Sequence, residues 1–348
     1  MKKLLKSVSA VLVFLFVLAA CSSNTTEDSG GQLSGSLEPQ PLATPVTLKV
    51  SVASPNETYS AVRLANLLGE FEKENITIEF VTIPSTESMP ALASGIIDVA
   101  AFGVTVPFFN AVAGGADIRM VMVGSESSAA SGVYVRSDIA DLGAAALEGK
   151  TLGLSLGWGQ TSAVPLEEYL QSADLTIDDV EVATIPLEEL AVSLDSGVID
   201  LSILAPPSSL LFEKNGNAKR VAGFENGERT AGYAFGKRLL TDEPEVGQAF
   251  IRAIIRTIDT YLVGDYKANA ETRALLAEAN AVTEDDLLLT ESVSFSYFSQ
   301  SDIDSGAFEI YTRAQDLWLR AGLLSYEELL EPSDYADWSF VQRILDNK

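Results

Sequence analysis

The sequence contains no histidine among its 348 residues and a single cysteine, Cys21. Without an imidazole, the chain has no histidine to serve as general base, proton shuttle or metal ligand. One cysteine cannot form a disulfide within the chain. We therefore expect no metal site, no cofactor and no histidine-dependent catalytic triad.

Basic residues are also scarce, with 23 Lys and Arg against 49 Asp and Glu and a formal net charge of −26. A surface of this charge repels phosphate backbones, so we expect no nucleic-acid partner. The hydrophobic fraction of 47% is sufficient for sizeable cores. The length of the chain favours about two domains.

The N-terminal segment has the pattern of an export signal. Residues 1–20, MKKLLKSVSAVLVFLFVLAA, combine a basic start, an apolar run and a small-residue end, which predicts a signal peptide. The end of this segment together with the next residue, Leu18-Ala19-Ala20-Cys21, resembles the lipobox of bacterial lipoproteins. In a lipobox the cysteine becomes the lipid-modified first residue of the mature chain. The alternative is an ordinary signal peptide that happens to end at cysteine.

Residues 22–45 are rich in Ser, Gly, Thr and Pro and contain few apolar side chains. Such a segment cannot bury enough apolar surface to offset the entropy of ordering it. We expect residues 21–45 to form a lipidated flexible tether. The protein would then lie outside the cytoplasm, held to the bacterial cell membrane by the lipid on Cys21.

An internal repeat organises the remainder of the chain. Residues 82–103, TIPSTESMPALASGIIDVAAFG, align without a gap to residues 184–205, TIPLEELAVSLDSGVIDLSILA. Each copy predicts a strand that ends at proline, a short helix that stops at Gly95 or Gly197, and a new apolar strand. Strands that are apolar throughout are typical of a parallel sheet buried on both faces. The repeat predicts two similar α/β lobes with a ligand between them.

The lobes need two crossings of the chain, for which Gly132–Arg136 and Ala231–Phe235 are the candidates. We predict an α/β fold of two doubly wound lobes joined by two hinge strands. Lobe 1 would comprise residues 46–131 plus 232–348, including a C-terminal helical segment that completes it. Lobe 2 would comprise residues 132–231.

Three motifs suggest chemistry that the chain does not support. Gly153-Leu-Ser155-Leu-Gly157 matches a nucleophile elbow, but no histidine exists to activate Ser155, which also falls inside a strand pattern. Gly157-Trp-Gly159 begins a dinucleotide fingerprint whose third glycine is missing. Asp98 and Asp200 each precede an apolar strand at the end away from the cleft, where we expect them to be structural.

Four segments carry a resemblance to a known family. The order and spacing of these segments resemble the type II periplasmic-binding-protein solute receptors of ABC importers, in the nitrate, sulfonate, taurine and thiamine-precursor (pyrimidine) branch. The resemblance covers about residues 46–348 and implies two hinged lobes that trap a small solute and deliver it to a membrane permease. The segments are Leu67–Glu72, Ala93–Gly103, Leu147–Leu156 and Leu194–Pro207.

In open α/β sheets a ligand lies outside the carboxyl ends of the strands. The loops predicted there contain no Lys or Arg, which favours a zwitterion such as taurine or a pyrimidine-like solute over a bare anion. Aromatic faces for a ring or an amine come from Tyr59, Trp158, Tyr233 and Phe235. The predicted ligand-binding residues are Asn56, Tyr59, Ser85, Thr86, Gly103, Thr105, Glu126, Trp158, Gln160, Thr161, Ser162 and Pro206.

Taken together, these features predict a monomeric, lipid-anchored solute-binding protein that serves the permease of an ABC importer and is not an enzyme. Two alternatives stay open. One is an enzyme on the same fold, such as a pyrimidine-precursor synthase or a menaquinone-pathway lyase. The other is a solute sensor without transport.

Overall fold

A computed structural model describes residues 33, 35–53, 57–83, 85–206, 208–224 and 228–348. The predictions for the signal peptide, Cys21 and Asn56 lie outside these residues. None of the helices in the described part combines the length and apolar character that a membrane span requires.

The described residues form two five-stranded mixed sheets. In the first sheet the strand order is β2-β1-β3-β10-β4, and in the second it is β7-β6-β8-β5-β9. The strands are β1 (Val46–Val52), β2 (Ile76–Val81), β3 (Val99–Gly103), β4 (Ile118–Val123), β5 (Gly132–Arg136), β6 (Thr151–Leu154), β7 (Glu181–Thr184), β8 (Leu201–Leu204), β9 (Ala218–Gly223) and β10 (Ala231–Gly236).

The two sheets share one layout. Their first three strands are parallel, and the fourth strand, β10 or β5, is antiparallel to both of its neighbours. Each fourth strand follows directly after the chain has arrived from the other sheet. Gly132–Arg136 and Ala231–Phe235 therefore lie inside sheets, and the connections themselves are the short segments 124–131 and 224–230. The similarity of the sheets confirms the predicted fold class.

Helices flank both sheets. They are α1 (Ser60–Leu67), α2 (Ser85–Ala93), α3 (Val106–Ala113), α4 (Ser137–Ala140), α5 (Val164–Gln171), α6 (Leu190–Asp195), α7 (Ser208–Asn215), α8 (Pro244–Tyr261), α9 (Ala270–Asn280), α10 (Glu284–Leu287), α11 (Gln300–Asp304), α12 (Glu309–Arg320), α13 (Pro332–Tyr335) and α14 (Ser339–Leu345).

The repeat places two aspartates at equivalent positions, each fixing a neighbouring strand. Asp98 accepts a hydrogen bond from the backbone N–H of Lys49 at 2.8 Å, and Asp200 accepts one from Thr151 at 3.0 Å. An arginine pairs with each carboxylate, Arg238 with Asp98 at 3.0 Å and Arg136 with Asp200 at 3.6 Å. These contacts confirm that both aspartates are structural.

The apolar core is continuous between the sheets. One buried cluster contains Met120 from β4 and Leu152 from β6 together with Trp318 from α12. The Trp318 ring lies 5.6 Å from that of Phe109 in α3, and its Nε1–H donates to the carbonyl oxygen of Trp158 at 2.7 Å. A second cluster lies between the first sheet and helices α1, α8 and α14. Helix α12 therefore connects the two halves.

A buried ion-pair network fixes helix α8 to the chain that precedes β2. Glu74 is fully buried, and its carboxylate accepts hydrogen bonds from Arg252 at 2.7 Å and from Arg256 at 2.5 Å. Arg256 also pairs with Glu70 at 2.8 Å, and Glu70 pairs with Lys73 at 2.6 Å. Because two guanidinium groups share the Glu74 carboxylate, that residue is the centre of the network.

The same network holds part of the segment expected to be a flexible tether. Arg256 donates to the carbonyl oxygen of Leu37 at 3.1 Å, and the backbone N–H of Gln40 donates to Glu74 at 3.1 Å. The N–H of Leu42 donates to the carbonyl oxygen of Glu74 at 3.0 Å. Residues 37–42 are therefore docked on the folded body, which corrects the prediction for that part of residues 21–45.

Substitution of Glu74 tests the network. Glu74→Gln should lower the free energy of unfolding by about 3–5 kcal/mol, because it leaves two largely buried guanidinium groups without their shared charge. Lys73→Met is the control, since the Lys73 side chain is 50% exposed and a surface pair contributes about 1 kcal/mol or less. Urea denaturation measures both. Equal effects of the two substitutions would contradict the assigned role of Glu74.

Candidate functional site

A cavity lies at the carboxyl ends of strands from both sheets. Its volume is about 340 Å³, and its lining includes Val52 from β1, Ser155 after β6 and Pro206 after β8. Gly103, the last residue of β3, also lines it. A volume in this range is typical of sites for small organic molecules. The cavity therefore lies where the sequence predicted the ligand.

The two connections between the sheets form another part of the cavity wall. Glu126, Ser127 and Ser128 line it from the first connection, and Thr230 lines it from the second. The N–H of Ser127 donates to the carbonyl oxygen of Glu228 at 3.0 Å, so the connections are hydrogen-bonded to one another.

Loops from opposite sheets also contact each other directly. The backbone N–H and the hydroxyl of Thr161 both donate to the carbonyl oxygen of Val104, at 3.2 and 2.6 Å. The N–H of Val106 donates to the carbonyl oxygen of Gly159 at 3.0 Å. The loop after β3 is thereby joined to the loop after β6.

Most of the predicted ligand-binding residues lie in the cavity wall. Ser85 is the first residue of α2, but the side chains of Ser85 and Thr86 are not described, and neither is Asn56. The predicted residues that line the cavity are Tyr59, Gly103, Thr105, Glu126, Gln160, Thr161, Ser162 and Pro206.

The structure corrects the prediction that the Trp158 side chain lines the cavity. It is absent from the described lining of the cavity, and its side chain belongs to the buried cluster shared by the two sheets. The indole of Trp158, which lies between Gly157 and Gly159, packs into the core. The backbone carbonyl oxygen of Trp158 accepts a hydrogen bond from Trp318. Tyr233 and Phe235 are likewise buried in β10, so of the four candidate aromatic residues only Tyr59 lines the cavity.

Sequence reasoning missed the part of the wall formed by residues 280–293. Asn280, Asp286 and Thr290 line the cavity from the segment around α9 and α10. This segment does not follow a strand, so the rule about strand ends could not find it. Glu57, in the loop that follows β1, also lines the cavity, although it was expected only as a carboxylate of that loop and not as a ligand-binding residue.

The carboxylate of Glu57 is paired on both oxygens. It accepts from the Tyr266 hydroxyl at 2.5 Å and from the Lys267 ammonium at 2.8 Å. The Lys267 side chain is buried and also donates to the carbonyl oxygen of Glu291 at 2.9 Å. Burial, followed by the charge of Glu57, raises the pKa of Tyr266 above its usual range. The Tyr266 hydroxyl therefore stays protonated and donates to Glu57.

Glu126 has a different environment. One of its oxygens lies 3.3 Å from Arg229, whose side chain is 4% exposed, whereas the Glu126 side chain is 33% exposed. Arg229 also donates to the hydroxyl of Ser296 at 2.5 Å and lies 4.7 Å from the ring centre of Phe298. Burial lowers the pKa of Arg229, and the charge of Glu126 opposes that shift. Arg229 thus balances Glu126 from behind the cavity wall.

The hydroxyl of Tyr59 is an unpaired polar group of the cavity wall. It makes no hydrogen bond within the part of the chain that the structure describes. Burial, with a smaller contribution from Tyr233, raises the pKa of Tyr59 above its usual range. A neutral hydroxyl of this kind can donate a hydrogen bond to a solute and accept one from it.

No Lys or Arg lines the cavity in the described residues. The internal residues that are not described, 54–56, 84, 207 and 225–227, contain neither type. Among the described residues no three Cys, His, Asp or Glu side chains converge as metal ligands would. The arrangement can bind a small molecule through hydroxyl, amide and carboxylate groups on an apolar wall.

The two like mixed sheets with a cavity at their carboxyl ends match the type II periplasmic-binding-protein fold, which the solved structures reported below share. The sequence model of the family described as NMT1/THI5 like matches residues 56–263. The chain therefore belongs to the NMT1/THI5 like family. A comparison with curated protein sequences finds no match.

Solved structures share the fold at low sequence identity. The alkanesulfonate-binding protein SsuA from Xanthomonas axonopodis pv. citri, bound to MOPS, has a TM-score of 0.65 and 20% identity over 84% of this chain and 99% of that chain. The periplasmic nitrate-binding protein NrtA from Synechocystis PCC 6803 has a TM-score of 0.67 and 12% identity over 88% and 90%. The desulfurization enzyme DSZB has a TM-score of 0.60 and 14% identity over 86% and 99%.

Substitution of two adjacent hydroxyl residues, Thr161 and Ser162, tests the contact between the loop after β3 and the loop after β6. Thr161→Val should lower the free energy of unfolding by about 1 kcal/mol, because it removes the hydroxyl donor to Val104 at nearly constant volume. Ser162→Ala is the control, since the Ser162 hydroxyl has no hydrogen bond in the described protein, and its effect should stay within about 0.5 kcal/mol. Urea denaturation distinguishes them. A larger loss for Ser162→Ala would contradict the assigned contact.

Proposed function

We propose that this protein is the extracytoplasmic solute receptor of an ABC importer, a monomer anchored to the membrane through a lipid on Cys21. The observation that carries the proposal is the cavity at the carboxyl ends of both sheets, because a solute bound there contacts both halves of the protein. A solute that binds the closed arrangement better than an open one shifts the population towards it. The closed receptor would then deliver the solute to the permease.

The proposed moving units are residues 46–131 with 232–348, and residues 132–231. The two short connections between the sheets support this division, because among the described strands they separate β5 to β9 of the second sheet from β1 to β4 and β10 of the first. Helix α12 belongs to the first unit by sequence, yet Arg313 pairs with Glu168 in α5 at 2.5 Å and Arg320 pairs with Glu167. Opening of the cavity would have to break these pairs or carry α12 along with α5.

The proposed cargo is a small organic solute of the taurine or sulfonate type or of the pyrimidine thiamine-precursor type. The names of two solved neighbours, an alkanesulfonate-binding and a nitrate-binding protein, support solute capture as the general role. The absence of Lys and Arg from the described lining weighs against a bare inorganic anion.

An enzyme on the same fold is the second candidate, favoured by the similarity to the desulfurization enzyme DSZB. The body of this chain contains neither histidine nor a cysteine after Cys21, so it lacks those two nucleophiles and bases. Chemical conversion of a bound solute by the isolated protein would support the enzyme. A solute sensor would be distinguished by the absence of a permease and an ATPase encoded nearby.

Ligand-dependent stabilisation tests solute binding. The mature protein should be stabilised by about 2.7 kcal/mol when a true ligand is present at about a hundredfold excess over its Kd. Thermal unfolding against amines, sulfonates and pyrimidines measures this as a rise in Tm. No rise with any small solute at millimolar concentration would count against the receptor function.

Substitution of the predicted lipidation residue tests the anchor. Cys21→Ser should move the protein from the membrane fraction to the soluble extracytoplasmic fraction, because a serine hydroxyl cannot carry the thioether-linked lipid. Fractionation with immunodetection measures the distribution, and the unsubstituted protein is the control. Retention of Cys21→Ser in a detergent-extractable membrane fraction would refute anchoring through Cys21.

A further inference from the structure

We infer that the solute is an organic amine with an apolar body, and that Glu126 selects it by accepting a hydrogen bond from its nitrogen. The inference rests on the proposed function, since it names the solute class of the same cavity. It narrows the proposed cargo by excluding sulfonates, and so departs from the sulfonate and nitrate named for two of the solved neighbours.

The cavity lacks the groups that an acidic solute requires. Its described lining contains three carboxylates, those of Glu57, Glu126 and Asp286, and no Lys or Arg. The cations that pair with two of these carboxylates are themselves buried, Lys267 beside Glu57 and Arg229 beside Glu126. A sulfonate would therefore enter a wall of like charge without a free cation to receive it, which is unfavourable.

Of the three carboxylates, Glu126 is the one best placed to receive a nitrogen donor. Both oxygens of Glu57 are occupied by Tyr266 and Lys267. Asp286 uses one oxygen to cap helix α10, accepting from the Thr283 hydroxyl at 2.6 Å. In Glu126 one oxygen lies 3.3 Å from Arg229, a long contact, and the other has no partner in the described protein. An ionised carboxylate accepts several hydrogen bonds, so this oxygen can take an ammonium N–H.

The remainder of the cavity wall is mainly apolar, which favours a solute with an apolar body. Apolar side chains surround most of the cavity, so burial of a hydrocarbon body provides the main driving force for binding. The unpaired hydroxyl of Tyr59 offers one further polar contact. Examples of the apolar lining are Val52, Phe102, Leu156, Leu190, Ile203 and Val293.

The net charge of the whole chain also favours a cationic solute over an anionic one. The net charge of −26 raises the local concentration of cations and lowers that of anions around the protein. Association with an amine should therefore slow as ionic strength rises.

The first experiment compares solutes that differ only in the polar group. The protein, purified from membranes in detergent, is titrated with the amine, the alcohol and the sulfonate of butyl, cyclohexyl and benzyl skeletons, and Tm is recorded. We expect the amine of at least one skeleton to raise Tm most, the alcohol less, and the sulfonate not at all. A sulfonate that raises Tm as much as its amine overturns the inference and leaves the receptor function intact. No rise with any compound of this series or of the wider solute screen counts against both.

The second experiment tests the role of Glu126 by calorimetry with the best amine. Glu126→Gln should weaken binding by about 10- to 100-fold, because a charge-assisted hydrogen bond is lost. The control is Glu243→Gln, which removes a carboxylate paired with Arg238 at 2.9 Å and outside the described cavity lining, and should leave the affinity unchanged. Equal affinity of Glu126→Gln and the unsubstituted protein, or equal losses in both variants, overturns the assignment.

Glu126→Gln also removes the charge that balances buried Arg229, so folding of each variant is checked by circular dichroism. Glu126→Asp keeps the charge and replaces Glu126→Gln as the test variant if the glutamine variant does not fold. It should retain a preference for the amine over the sulfonate of the same skeleton. Reversal of that preference in Glu126→Asp contradicts the inference.

Discussion

The cavity depends on the hydrogen bonds by which Thr161 joins the loop after β6 to the carbonyl oxygen of Val104 after β3. These bonds hold the carboxyl ends of two separate sheets against each other, which is the geometry that a shared binding site requires. Behind them, the bond from Trp318 to the Trp158 carbonyl continues the contact into a common apolar core. Because a large apolar interface restricts interdomain motion, these contacts oppose separation of the two sheets on this side of the cavity.

Charge in this protein is buried in balanced groups. Lys267 offsets Glu57 and Arg229 offsets Glu126 beside the cavity, and Arg252 with Arg256 offsets Glu74 on the far side of the first sheet. Removal of a charge from water is costly unless a partner and further hydrogen bonds compensate it. The cations are therefore committed to structure, and the cavity presents oxygen atoms to a solute.

Much of the fold could be predicted because the repeat is local in sequence. Apolar runs and glycine stops marked β3 and β8, and Asp98 and Asp200 marked their edges. The errors concern contacts between distant parts of the chain. Trp158 follows a glycine turn whose direction the sequence leaves open. The docking of residues 37–42 depends on Glu74 and on arginines more than 200 residues away, and residues 280–293 reach the cavity only through helix packing.

The passage of the chain to the second sheet and back to the first affects the order in which the two sheets can form. Strand β10 lies between β3 and β4, so the first sheet lacks a central member until residue 236 has been synthesised. The strands of the second sheet are continuous from residue 132 to residue 223. A domain folds as a unit, which requires that all of its central strands have been synthesised. On the nascent chain the second sheet can therefore be completed before the first, because strands β1 to β4 lack β10 until it has been synthesised.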